Sequence, residues 1–167
     1  VLGAGNTLAF GEAAELGPNS IVFFEEVGAP ATIGGPLGAG HFTSSGVINV
    51  IGGTAVIDQD EIDFSASSIV SVATGAKLVL DSDATHAGNL ALAGGELRGS
   101  GTLTNSGEIV GKGLIATSNL INDGGVSTTL DVDWSSGESW NWNTPSLKAM
   151  TPMAASWSWS RRISSTT

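Results

Sequence analysis

The most regular pattern of apolar and polar positions lies between Gly94 and Gly125, in GGELRGSGTLTNSGEIVGKGLIATSNLINDGG. An aliphatic residue recurs there every six positions, at Leu97, Leu103, Ile109, Ile115 and Ile121, and four residues after each comes Gly101, Gly107, Gly113, Asn119 or Gly125. A helix needs apolar spacings of three and four and is opposed by this density of glycine. The alternation in Thr102-Leu103-Thr104 and Glu108-Ile109-Val110 instead puts one aliphatic on one face and shorter or polar groups on the other. It predicts strands of three or four residues, each ended by a glycine-bearing corner. Short strands at constant spacing are the mark of a chain coiling on itself as a β-solenoid, with three six-residue units making a coil of about 18 residues.

Before residue 88 the rhythm loosens to coils of about 18–23 residues, although period-2 alternation persists. Strands are predicted at residues 7–10, 21–24, 47–51, 54–57, 62–64, 68–72 and 76–80, with Gly52-Gly53 as a corner between two of them. Turn signals crowd together at Pro30, Gly34-Gly35-Pro36 and Gly38, which predicts a loop or a barely stranded coil. Residues 1–45 therefore read as a Gly/Pro-rich N-terminal coil or cap, and residues 46–137 as the solenoid body. Residues 138–167 form a Trp/Ser-rich tail outside the repeat: every glycine lies at or before Gly137, and every tryptophan at or after Trp134. Three readings of the tail stand open. It is a poorly ordered or separately packed extension, a cap laying Trp140/Trp142 and Trp157/Trp159 on strand faces, or a non-native product of gene assembly or reading frame. The fold class expected is all-β, a single-stranded β-solenoid (β-helix) with atypical ends. Leu90, Leu92, Leu97, Leu103, Ile109, Ile115, Ile121 and Leu130 are expected to face its core.

Hydrophobic content of 41% is enough for such a core. There is no cysteine, which excludes a disulfide scaffold, a thiol nucleophile and a cysteine-based zinc site. The net charge of −10 is unevenly placed: residues 1–138 carry all 16 acids against Lys77, Arg98 and Lys112, while the last residues carry Lys148, Arg161 and Arg162 alone. An acidic body repels nucleic acid and anionic lipid and attracts divalent cations or basic surfaces. The strongest apolar run, residues 46–57, is too short to cross a bilayer as a helix. The chain begins at Val1 with no secretory n-region before it, which suggests a processed chain or an excerpt.

Three Asp-x-Asp pairs are the most suggestive polar feature: Asp58/Asp60, Asp81/Asp83 and Asp131/Asp133. Residues two apart in a strand share a face, so each pair presents two carboxylates together. Asp58/Asp60 and Asp81/Asp83 are separated by about one wide coil, and stacked carboxylates repel unless a cation intervenes. Calcium accepts such oxygen-rich sites, so Asp58, Asp60, Asp81 and Asp83 are the metal candidates, with Glu61 or Asp63 as added ligands. The alternative is a solvated acidic face that keeps an edge-rich fold soluble. Paired acids also do acid–base work on polysaccharides, where Asp60, Asp83 or Asp131 would have to converge with a basic residue.

His41 and His86 have no third ligand at metal spacing and read as lone surface or corner histidines. No serine elbow is present, and Gly3-Ala4-Gly5 lacks the third glycine and helix of a dinucleotide loop. Asn89, Asn105 and Asn122 recur near one coil apart and predict at least one stacked asparagine pair. Only Thr102-x-Thr104 makes a strong Thr-x-Thr pair, too few for an ice-binding face.

The GSGTLTNSGEIVGKG segment resembles the repeats of bacterial extracellular β-solenoids, autotransporter passenger domains and adhesin-like surface proteins, over about residues 68–132. The resemblance implies a secreted or cell-surface, elongated, right-handed and three-sided β-helix, and it transfers no catalytic residue. A second resemblance, to left-handed hexapeptide-repeat acyltransferases, is weakened because the regular hexads are few and hold no histidine. The expected function is structural or adhesive rather than enzymatic, a rigid rod presenting surface to a ligand or polysaccharide. Carbohydrate binding or degradation, a calcium-stabilised module and end-to-end self-association are the alternatives. No cofactor beyond calcium and no nucleic-acid partner is expected, nor insertion into a membrane.

Overall fold

The computed structural model describes residues 1, 3, 5–9, 13–25, 28–34, 40–132 and 139–142, with side chains described as far as Gly125. Among these residues the chain is all strand and turn, with no helix. Strands β1 (Thr7–Ala9), β2 (Ala13–Leu16) and β3 (Ile21–Glu25) trace three sides of one coil. The next coils follow as β4 (Ala31–Gly34), β5 (His41–Ser44) and β6 (Val47–Gly52), then β7 (Thr54–Asp58), β8 (Glu61–Phe64) and β9 (Ile69–Ala73). The chain continues through β10 (Lys77–Leu80), β11 (Ala84–His86), β12 (Asn89–Gly99), β13 (Thr102–Asn105), β14 (Glu108–Ala116), β15 (Asn119–Asn122), β16 (Gly125–Val132) and β17 (Ser139–Trp142).

Every third strand pairs in parallel, which makes a three-sided β-solenoid. The first side runs β1-β4-β7-β10 into the end of β12, and the third runs β3-β6-β9 into its start. The second side is a separate sheet, β2-β5-β8-β11-β13-β15-β17. From β12 onward one long strand serves two sides: Asn89–Ala93 pair with β9, Glu96–Gly99 with β10, and a register shift between Ala93 and Glu96 bends the strand at the corner.

Coil length falls along the chain. On the second side Ala13 pairs with His41, 28 residues on, His41 with Glu61, 20 on, and Thr102 with Asn119, 17 on. The early coils are thus wider than the spacing of aliphatics predicts, because their extra residues lie in connections, such as residues 35–40 before β5, and not in strands. The short strands β2, β5 and β11 escape the sequence reading for a related reason. Their inward positions hold Ala14, Ser44, Ala84 and His86, which carry no aliphatic signal.

The core sits on the axis of the coil. Leu90, Leu92, Leu97, Leu103, Ile109 and Ile115 are all buried, as expected, beside Phe24, Phe42, Ile48, Ile57, Ile62 and Leu78. Each contributes about 1.5–3 kcal/mol relative to an exposed side chain. Ile121 does not face the core: it is half-buried on the outer face, and Leu120 is fully buried in its place. Strict hexads would put residue 121 under Leu103, but the offset of 17 pairs Leu103 with Leu120, and a one-residue slip turns every side chain over. Leu130 lies where side chains are not described.

Glycine is required where coils press together. A Cβ on Gly107 would run into the backbone oxygens of Ala87 and Gly88 in the coil before it. Gly111 has φ +97°, a conformation L residues seldom adopt, and its added Cβ would meet the Leu92 carbonyl.

Candidate functional site

The second side carries the densest chemistry on its outer face. In a strand alternate residues share a face, and parallel neighbours lie about 4.8 Å apart, so register alone builds the site. His41 of β5 pairs with Glu61 of β8, and Thr43 with Asp63. Asp63 pairs in turn with Thr85 of β11, and Thr85 is bracketed by Ala84 and His86, which pair with Leu103 and Asn105. The His41 ring Nε2 lies 2.7 Å from Asp63 Oδ2, Thr43 Oγ1 lies 3.4 Å from the same nitrogen, and the Thr85 hydroxyl donates to Asp63 Oδ1. The ligand atoms of His41, Glu61 and Asp63 all fall within 4.8 Å of one another, the group of three that the described residues bring together. His41 is therefore no lone histidine. Register places it diagonally opposite Asp63, a juxtaposition across 22 residues that no local motif announces.

The predicted calcium residues flank this group. Asp58 ends β7, half-buried, and Asp81 is exposed one residue beyond β10. Leu80 pairs with Ile57, so Asp58 and Asp81 follow the last registered pair at the same corner of successive coils. Asp60 Oδ2 accepts from the Gly40 N–H at 3.3 Å, and Asp83 Oδ1 accepts from the Thr102 N–H at 2.7 Å. Each of those two carboxylates caps the strand start of a neighbouring coil. Asp131 lies in β16 and Asp133 beyond it, both outside the residues with described side chains.

Two of the body's three cations are engaged elsewhere. Arg98 Nε donates to Glu96 Oε2 at 2.7 Å and Lys77 Nζ lies 3.5 Å from the same oxygen, on the first side. The hydrogen bond from Arg98, more than its charge or that of Lys77, holds the Glu96 carboxyl below the usual range.

Behind the acidic face, inside the coil, runs a buried polar column. Phe64, His86, Asn105 and Asn122 occupy successive coils in register. Asn105 Nδ2 donates to Asn122 Oδ1 at 2.6 Å and to Gly107 O at 3.3 Å, and Asn122 Nδ2 donates to Gly124 O at 3.1 Å. The Asn105 oxygen therefore faces His86, whose Nδ1–H donates to it at 2.6 Å. The expected asparagine stack is present as Asn105–Asn122. Asn89 stands apart from it on the third side, and His86 is a core residue at 2% exposure rather than a surface histidine. Burial, partly offset by the bond to Asn105, lowers the His86 pKa and keeps the ring neutral. Its Nε2 has no partner and stands by a void of about 10 Å³ lined by Phe64, Leu78, Leu80, Leu97 and Leu103. That volume is at the lower limit for a single water, so the void is not a ligand pocket.

No protein-family model, curated protein or solved structure matches the chain. The β-solenoid arrangement accordingly stands on the strand pairing itself.

Proposed function

We propose that the chain is a structural or adhesive β-solenoid segment, a rigid rod that presents flat outer faces at the cell surface or outside the cell. The observation that carries this reading is the registered parallel pairing that runs from β1 to β17 over a continuous aliphatic core. Repetition of one short unit supplies length and surface, whereas catalysis requires singular, convergent residues. The placement outside the cell rests on the resemblance of residues 68–132 to surface β-solenoids and on the acidic body.

A second reading, a carbohydrate-binding or carbohydrate-degrading solenoid, is favoured by one observation, the run of His41, Glu61, Asp63 and Thr85 along the second side. Lys77 and Arg98 lie on Glu96, a different side of the coil, which leaves this face without the basic partner a lyase requires. The test is display of residues 1–142 on a bacterial surface, with adhesion and polysaccharide turnover measured together. The rod reading expects adhesion that is lost with the core-breaking Leu103→Asp, and no product release. Product release abolished by Asp60→Asn or Asp83→Asn would establish the enzymatic reading instead.

A further inference from the structure

We infer that His41, Glu61 and Asp63 form a binding site for a first-row transition cation of the zinc type, a clasp that ties β5 to β8 across neighbouring coils. The inference goes beyond the rod reading and does not depend on it. Three features carry it.

The first is the donor set. An imidazole nitrogen and two carboxylates suit zinc and its neighbours, whereas calcium takes oxygen ligands alone. This separates the site from the Asp58/Asp60 and Asp81/Asp83 pairs, which offer only oxygen. The second is geometry. The ligand atoms already lie within 4.8 Å of one another, and tetrahedral coordination at zinc bond lengths needs separations of about 3.3–3.5 Å. Side chains on the outer face can close that gap by rotation, because His41 and Asp63 retain 42% and 32% of their side-chain exposure and Glu61 is exposed. The backbone need not move, since register holds His41 directly beside Glu61 and two positions from Asp63.

The third is charge. Two carboxylates balance a divalent cation, and no lysine or arginine is paired with either among the described ion pairs. The Asp63 oxygen not facing His41 accepts from Thr85, the kind of outer contact that fixes a ligating carboxylate. Three protein ligands leave the remaining coordination positions to water or to a donor group of a partner.

The test is thermal melting of the full chain with ZnCl2, CaCl2 or EDTA. At a zinc concentration about a hundred times the Kd, the melting temperature should rise by about 5–10 °C. EDTA should reverse the rise, and the triple variant His41→Gln/Glu61→Gln/Asp63→Asn should abolish it while melting normally without metal. The variant Asp58→Asn/Asp81→Asn should keep it. Cobalt(II) should give visible d–d bands with the wild type and none with the triple variant. No zinc-dependent shift, an equal shift in the triple variant (an adventitious ion only), or a larger shift with calcium than with zinc would each overturn the proposal.

Discussion

Replacing Asn105 by leucine removes the middle of the buried polar column while keeping its approximate volume. Two groups lose their partners: the His86 Nδ1–H, which donates to Asn105 Oδ1, and Asn122 Oδ1, which accepts from Asn105 Nδ2. Gly107 O keeps the Gly125 N–H at 2.9 Å and is not orphaned. His86 and Asn122 are 2% and 1% exposed, so water cannot replace the missing bonds. Each unsatisfied buried group costs about 1–3 kcal/mol, giving a loss of about 2–6 kcal/mol for the single substitution. Urea denaturation followed by circular dichroism at pH 7.5 measures it, and the midpoint should fall by about 1 M or more at unchanged slope. The column also predicts the opposite for a larger change. The triple variant His86→Leu/Asn105→Leu/Asn122→Leu removes donors and acceptors together and should recover most of the loss, because an apolar replacement of a whole polar network can be near neutral. A single variant that loses less than about 0.5 kcal/mol, or a triple variant worse than the single one, would refute the energetics assigned to these bonds.

Three further expectations follow from the same coordinates. Because burial lowers the folded-state pKa of His86 below its ordinary 6.5, the unfolded chain binds the extra proton first; the stability this supplies is present above about pH 6.5 and is lost as pH falls toward the folded value, by up to about 1.4 kcal/mol per pH unit. Urea midpoints between pH 7.5 and 5 should show this fall, His86→Phe should flatten it, and a wild type without the fall would refute the assignment. Leu120→Asp should unfold the coil, whereas Ile121→Asp should lose less than about 1 kcal/mol by urea denaturation, and the reverse order would restore the six-residue register. Gly111→Ala adds a clash with the Leu92 carbonyl to an unfavourable φ, while Gly75→Ala meets nothing within 4 Å at φ +77°; the first should lower the melting temperature at least twice as far, and equal losses would show that close packing of coils does not matter there.

The solenoid was legible because its signal is local. Hydrophobic alternation and glycine corners set strand length and inward face residue by residue, and Leu97, Leu103, Ile109 and Ile115 fell where they should. The clusters were not, because they depend on coil length. Asp58 and Asp81 can be aligned from sequence since the first-side offset between Lys77 and Thr54 equals the spacing of the acids. On the second side the offset between Asp63 and Thr85 is one residue shorter, so Asp60 and Asp83 fall out of step while His41 comes beside Glu61. His86 was misread for the same reason: only the offset of 19 to Asn105 turns an isolated histidine into the end of an asparagine column.

The shrinking coil and the choice of core residues have one physical cause. A longer coil encloses a wider interior, which must be filled to near-crystalline density. The wide early coils hold Phe24, Phe42 and Phe64, with Phe42 and Phe64 edge-on at 6.2 Å between ring centroids. Beyond Phe64 the described core is built from aliphatics, and the column that began with Phe64 continues through His86 to two asparagines. The step from ring to amide follows the loss of perimeter, from 22 residues between Phe64 and His86 to 17 between Asn105 and Asn122. An amide also bonds along the axis to its own copy in the next coil, which a phenyl ring cannot do, so the narrow end exchanges packing area for hydrogen bonds directed between coils. The void beside His86 marks the place where the interior changes from one filling to the other.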